Sequence, residues 1–322
     1  MVDAPGDGVA TRHERYEQLI AAAQKEAAIK VAVVHPCDES SMRGVAEAMR
    51  LRLIEPILVG PVERMRRVAN EVGFNIGGVE LVDAEHSHAS AAKAVELVRA
   101  GKVEALMKGS LHTDELMGAV VSGADGIRTA RRISHCFIMD VPGHPNPLII
   151  TDAAVNIAPD LDTKVDIIQN AIDLAHAMGN EQVRVAILSA METVTTKVPS
   201  TIEAAALCKM AERGQITGGA VLDGPLALDN AISPEAAAIK KIASPVAGRA
   251  NILVVPDLEA GNMLAKSLSF LAKADAAGIV LGARVPIILT SRADSLVSRL
   301  ASCAVAVMVA AARRKAAAAA IR

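Results

Sequence analysis

The chain has 322 residues, a formal charge of −2, 52% hydrophobic residues and 1% aromatics. This balance creates no global field for nucleic acid or an anionic membrane, so an anionic substrate needs a local site. With no Trp, one Tyr and three Phe, the core must be built from Ala, Val, Ile, Leu and Met. Such side chains let helices and strands approach closely, as in layered α/β proteins.

The first residues, MVDAPGDGVATRHERYEQL, carry acids and no apolar core, which reads as no signal peptide. No uninterrupted apolar run reaches membrane-spanning length. Cys37, Cys136, Cys208 and Cys303 are widely spaced with no CxxC pair, which argues against a zinc site or a disulfide framework. Reduced thiols in a cytoplasmic protein are the expectation.

Short apolar runs alternate with longer amphipathic ones. After a charged helix around Arg12–Lys25, strands are expected at Lys30–Val34, Pro56–Gly60, Gly78–Val82, Val103–Met107 and Cys136–Met139. Helices fill the gaps at Ser40–Arg52, Val62–Val72, His88–Ala100 and His112–Val121. Val141–Asn146 (VPGHPN) reads as a turn or hinge, after which the alternation restarts. Strands are expected at Pro147–Thr151, Val183–Leu188, Gly218–Leu222, Asn251–Val255, Gly278–Leu281 and Pro286–Leu289. Helices are expected at Leu161–Met178, Ser200–Arg213 and Leu258–Lys273, with a last long helix from about Asp294. The pattern predicts two doubly wound α/β domains, a mostly parallel sheet with helices on both faces, and ligands beyond the strand ends in an interdomain cleft.

Four strand-end stretches carry chemistry. Lys108-Gly109-Ser110 offers a cation and a hydroxyl where a helix opens, an anion site or a plain helix cap. Ser122–Arg128 is a Gly-rich turn ending in a guanidinium suited to phosphate, although surface ion pairs explain most clusters such as Arg128, Arg131 and Arg132. Asp223 and Asp229 flank a strand-end Asp-Gly-Pro, either a carboxylate pair or turn chemistry. Asp257 opens a helix in which Gly261 would let a bulky cofactor pass close to the backbone; Asp257 also suits an N-cap. Finally, Thr290-Ser291-Arg292-Ala293-Asp294-Ser295 places hydroxyls, a cation and a carboxylate within six residues. Capping alone explains the carboxylate but not its combination with Arg292. His35 and His135 read as packed or capped residues outside the site.

The segments DGPLALDNAISPEAA (Asp223–Ala237), VPDLEAGNMLAKSL (Val255–Leu268) and VPIILTSRADS (Val285–Ser295) closely resemble the phosphate acetyltransferase and butyryltransferase family. Pro147–Ala175 is similar to the butyryl-type branch and to its relatives fused to acyl-CoA hydratases. The resemblance runs from about Lys30 to Val309. It implies an isocitrate/isopropylmalate dehydrogenase-like fold, with 1–146 and 286–322 forming one discontinuous domain and 147–285 the other. It implies a homodimer or larger homo-oligomer that exchanges a short acyl group between coenzyme A and phosphate, with CoA as substrate and no metal or nicotinamide cofactor. By the same resemblance, Ser291 stabilises the CoA thiolate and Arg292 binds phosphate or acyl phosphate. Arg128 belongs to a phosphate-binding region, and Asp223, Gly224, Asp257, Gly261 and Asn262 match cleft motifs.

One departure stands out. The acetyl-type enzymes place a carboxylate, the thiol's proposed base, where this chain has Ser298. Asp294 is the nearest acid and is expected to act as base or base-orienter; the departure tilts the expected acyl preference away from a strict acetyl enzyme. Two other readings stay open on sequence grounds. One is a decarboxylating dehydrogenase of the same scaffold, for which no paired metal-binding aspartates stand out. The other is a catalytically inactive acyl-CoA-binding or scaffold protein, favoured by Ser298 and disfavoured by the retained Ser291 and Arg292.

Overall fold

The computed structural model describes residues 14–291 and 294–320. The first half builds α1 (Glu14–Ala23), β1 (Ile29–Val34), α2 (Glu39–Arg50), β2 (Ile54–Gly60), α3 (Val62–Glu71), β3 (Glu80–Asp83), α4 (Ser87–Arg99), β4 (Ala105–Lys108) and α5 (Thr113–Val121). Then follow β5 (Ser134–Asp140), β6 (Leu148–Thr151), α6 (Leu161–Ala177), β7 (Arg184–Leu188), α7 (Pro199–Glu212) and β8 (Val221–Leu226). The chain ends through α8 (Leu228–Ile232), α9 (Pro234–Ile239), β9 (Ile252–Val254), α10 (Leu258–Phe270), β10 (Asp275–Leu281), β11 (Ile287–Ile288) and α11 (Leu296–Ala320).

All described strands join one sheet in the order β3-β2-β1-β4-β11-β10-β5-β6-β9-β7-β8. It is mostly parallel, as expected, with antiparallel pairings confined to its centre: β10 runs antiparallel to both β11 and β5, and β5 antiparallel to β6. Connection length explains this. A parallel crossover needs about a dozen residues or more, whereas only 141–147 separate β5 from β6 and 282–286 separate β10 from β11. Val141–Asn146, expected as a turn or hinge, is thus the turn of a hairpin, and Arg15 of α1 clamps it. The Arg15 guanidinium pairs with Asp140 at 2.6 Å and donates to the carbonyls of His144 and Pro145 at 2.8 Å.

Strand reversal turns the two halves head to tail. The carboxyl ends of β1, β2, β4 and β11 point to one sheet edge, and those of β6, β7, β8 and β9 to the other. One face of the sheet is covered without a break: a single apolar core joins residues of α1, α2, α3, α6, α7 and α11. The other face carries two separate cores, one under α4 and α5 and one under α8, α9 and α10. Those two layers meet over β10 and β5, the junction at which the sequence reading expects the cleft.

Helix α11 is the backbone of the unbroken face. By length and apolarity it matches a membrane span, yet 67% of its most apolar window is buried inside the protein. Cys303, Ala304, Val305, Ala306 and Val307 are all fully buried. Truncating Val305 to Ala should cost about 2 kcal/mol of unfolding free energy, through lost burial and a small cavity. Ile239→Ala at the exposed end of α9, where Ile239 is 74% exposed, should stay within about 0.5 kcal/mol. Urea unfolding of both variants checks this contrast; equal losses would contradict the core placement of α11.

Candidate active site

Strands β4 and β11 run parallel with Met107 beside Ile288, so Lys108 and Leu289 leave the sheet side by side. The site forms where they end. Lys108 is 4% exposed and donates its Nζ to the carbonyls of Gly109 (3.4 Å) and Thr290 (3.5 Å). Arg299, also 4% exposed and one turn into α11, donates Nη1 to Thr290 Oγ1 at 3.0 Å and Nη2 to the Ser291 carbonyl at 2.9 Å. Two buried cations therefore grip the strand-end segment from beneath through its own oxygens.

The segment closes on itself above them. The Ser291 N–H donates to Asp294 Oδ2 at 2.6 Å, and the Asp294 N–H returns to the Ser291 carbonyl at 3.2 Å. Ser291 is exposed and Asp294 half-buried. Partial burial pushes the Asp294 carboxyl above its ordinary range, against the Ser291 N–H and the charges of Arg299 and Lys108, which pull it down. Arg292, assigned to phosphate by resemblance, lies outside the described residues. Ser298 faces Ser295, whose Oγ accepts from the Ser298 N–H at 3.1 Å as an N-cap of α11. That position serves the helix start here.

Ser110 neither caps nor opens a helix. Its Oγ donates to the His35 carbonyl at 2.8 Å and accepts from the Cys37 N–H at 3.3 Å, tying the ends of β1 and β4 together, while α5 begins only at Thr113. Arg128 is exposed and bridges by its backbone to Ala283, in the β10–β11 turn at the opposite sheet edge. The structure does not bring it to Lys108 and Ser291. Asp223 and Gly224 lie within the edge strand β8, where Asp223 Oδ1 accepts from the Gly224 N–H at 2.9 Å. Asp229 turns to Lys240 at 3.5 Å, so the two aspartates form no pair.

Asp257, Gly261 and Asn262 follow β9, whose carboxyl end points to the sheet edge opposite that of Lys108 and Ser291. Asp257 caps α10, accepting from the Ala260 N–H at 2.8 Å. A Cβ on Gly261 would stand 2.8 Å from the Asp152 carbonyl and 3.1 Å from Ala153 Cα. The glycine thus admits the loop after β6 and leaves no passage for a cofactor there. Asn262 donates to the Ala153 carbonyl at 3.2 Å, and Asp152 accepts from the N–H groups of Ala154, Val155 and Asn156. Residue by residue, this is a self-satisfied loop-and-helix wall.

One residue of the cluster, Arg299, escaped the sequence reading, and His135 is packed as that reading expected. Arg299 lies one turn into an apolar helix, and only its charge in that setting signals a role. His135 on β5 is 1% exposed, with its Nδ1 buried and unpartnered among the described residues. The four cysteines are free; burial pushes Cys37 up to about 11 and Cys136, Cys208 and Cys303 up to about 12, so none is a ready nucleophile. Surface cavities of about 580 and 530 Å³ lie elsewhere and include no residue of the Lys108–Asp294 cluster.

Comparison with known proteins gives the family. Residues 88–307 match the family model described as phosphate acetyl/butaryl transferase. The chain is 67% identical to the phosphate acetyltransferase of Rhizobium meliloti, over 95% of this chain and 97% of that one. It is 38% identical to the phosphate butyryltransferase of Clostridium beijerinckii, over 92% and 98% of the two chains. Its fold superposes on a branched-chain phosphotransacylase from Enterococcus faecalis with a TM-score of 0.76 at 30% identity, covering 88% of this chain and 99% of that one. With a hydroxyl, a carboxylate and buried cations at a strand end, and matches of this extent, the chain belongs to the phosphate acetyl/butyryl transferase family.

Proposed function

We propose that the chain catalyses reversible transfer of a short acyl group between coenzyme A and inorganic phosphate, with acetyl as its preferred acyl group. The observation that carries this is the Ser291–Asp294 segment, held by Lys108 and Arg299 at the cleft. The acetyl preference rests on the 67% identity to a phosphate acetyltransferase against 38% to a butyryltransferase. It departs from the tilt that Ser298 suggested.

The reaction follows from those groups. The Asp294 carboxylate accepts the proton of the CoA thiol, and burial, by raising its proton affinity, suits it to that task better than an ordinary exposed aspartate. The thiolate attacks the acyl-phosphate carbonyl; the C–S bond forms as the carbonyl π electrons move to oxygen. Ser291 offers its hydroxyl to the thiolate. The tetrahedral oxyanion collapses, the C–O bond to phosphate breaks, and phosphate leaves with the electron pair, its charge met by Arg292 as the resemblance implies. Lys108 and Arg299 are positioning residues whose positive potential also favours an anionic site. No covalent acyl-enzyme, metal or nicotinamide is needed, since the acyl group passes directly between the two substrates.

The division into 1–146 with 286–322 and 147–285 is proposed on the same basis: β11 returns beside β4, and α11 packs on α1 and α2. A homodimer or larger homo-oligomer is proposed from α10 and its C-cap, which show Met263, Phe270 and Leu271 to solvent at 63%, 70% and 82% exposure. A cytoplasmic location fits the four free thiols.

Phosphate-dependent release of CoA from acetyl-CoA, propionyl-CoA and butyryl-CoA is the direct assay. Acetyl-CoA should be fastest, Ser291→Ala should lose about 10²–10³-fold in kcat, and Asp294→Asn about 10²–10⁴-fold; CoA binding without phosphate-dependent release would leave only the scaffold reading. The rate should fall on the acid side in a limb above the ordinary carboxylate range, and Asp294→Asn should remove that limb. Stability gives the opposite sign. A carboxyl whose folded pKa is raised stabilises the fold when protonated, and that contribution is lost as pH rises through the folded value. Asp294→Asn should therefore melt higher than the unsubstituted chain at neutral pH, with the gain vanishing below about pH 4. For assembly, light scattering should give a mass of at least twice 33.4 kDa, and Phe270→Glu should reduce it.

A further inference from the structure

A hollow opens where α6 packs beside α11, far from the reacting groups. Ala177 of α6 and Ala312 and Ala316 of α11 line it, and side chains this small leave about 580 Å³ unfilled, the size of a small-molecule pocket. The β10–β11 turn closes a third side. That turn is held tightly in place. The Thr129 hydroxyl donates to the Gly282 carbonyl at 2.7 Å, and the Arg284 N–H donates to the Ile127 carbonyl at 3.0 Å. Gly282 has φ +88°, and a Cβ there would stand 2.2 Å from the Arg132 carbonyl oxygen, so only glycine fits.

The lining is basic. Three arginines, Arg131, Arg284 and Arg313, stand against one carboxylate, Asp173, which leaves a net charge of +2 with His176 neutral. The whole chain carries −2, so this is a local concentration of positive charge. Asp173 is already taken: Arg131 Nη1 stands 2.5 Å from its Oδ2. Arg313 meets only backbone, donating Nη1 to the Arg284 carbonyl at 2.9 Å and Nη2 to the Ala283 carbonyl at 3.5 Å. The Arg284 side chain has no partner among the described residues. Elsewhere on the surface, arginines such as Arg43 and Arg50 pair with glutamates of their own helix.

We infer that this hollow binds a small molecule with an apolar body and one anionic group, a carboxylate or a phosphate ester. Arg284 and Arg313 hold the anion in forked hydrogen bonds, with Arg131 beside them. Leu174, Leu281 and Val309 of the lining take the apolar body. The site is separate from acyl transfer. Arg313 lies about 21 Å along α11 from Arg299, and the turn that carries Arg284 enters β11 at the end opposite Ser291.

Benzoate and phenyl phosphate serve as probes, with benzyl alcohol as the uncharged control, each titrated into the full chain and followed by NMR of the probe. At least one anion should bind saturably with a dissociation constant below about 5 mM, and benzyl alcohol at least about 5-fold more weakly. The tighter anion names the acidic group. Arg284→Glu reverses an exposed charge and should weaken the anions by at least about 5-fold. Ala312→Phe fills the hollow from α11 and should weaken them by the same factor. Melting temperatures confirm folding, and the Arg284→Glu result decides alone should the filled variant unfold. Absence of saturable anion binding, equal affinity for benzyl alcohol, or a smaller change in either folded variant overturns the inference.

Discussion

The antiparallel pairing of β10 with β5 is the constraint on which the rest of this molecule depends. Its register runs from Asp275 beside Asp140 to Leu281 beside Ser134, the full length of both strands. That ladder fuses two oppositely directed α/β halves into one sheet, so a hydrogen-bonded junction rather than a flexible linker joins them. Helices from each half cover their own strands on the second face, and the two cores there stay separate.

The chemistry is placed by the same constraint. β11 is only two residues long, yet it sits between β4 and β10. Its carboxyl end therefore emerges beside Lys108 on one flank and Gly278 on the other. Burying Lys108 and Arg299 is costly unless their donors are met, and backbone and hydroxyl oxygens of Thr290 and Ser291 meet several of them. The cations consequently shape the very segment that carries the nucleophile-side hydroxyl and the proton acceptor. Charge burial and site geometry are one interaction.

Much of this was legible in the sequence. Apolar runs such as KVAVV (Lys30–Val34) and helix patterns such as Leu161–Met178 fell within a few residues of β1 and α6, because buried strands and amphipathic helices announce themselves by period. Strand direction was missed at β5, β6 and β10 because periodicity carries no polarity; the short connections held that information. Helices α8 and α9 were not predicted, since five and six residues around Ser233 and Pro234 are too few to show a helical period. At the site, Ser291 and Asp294 stood out as a dense local cluster. Arg299 did not, for its role depends on the strand-end oxygens it meets across the fold. Conversely, Gly261 and Ser110 looked like ligand positions and are explained by close approach to Asp152 and by a tie to His35.

The central claim is direct acyl passage between CoA and phosphate at the Ser291–Asp294 segment. Exchange of labelled inorganic phosphate into acetyl phosphate tests it most directly, with and without CoA. The account predicts exchange only when CoA is present, with strong loss in Asp294→Asn. Exchange in the absence of CoA would reveal a covalent acyl-enzyme and contradict direct transfer; no exchange under either condition would contradict the acyltransferase itself.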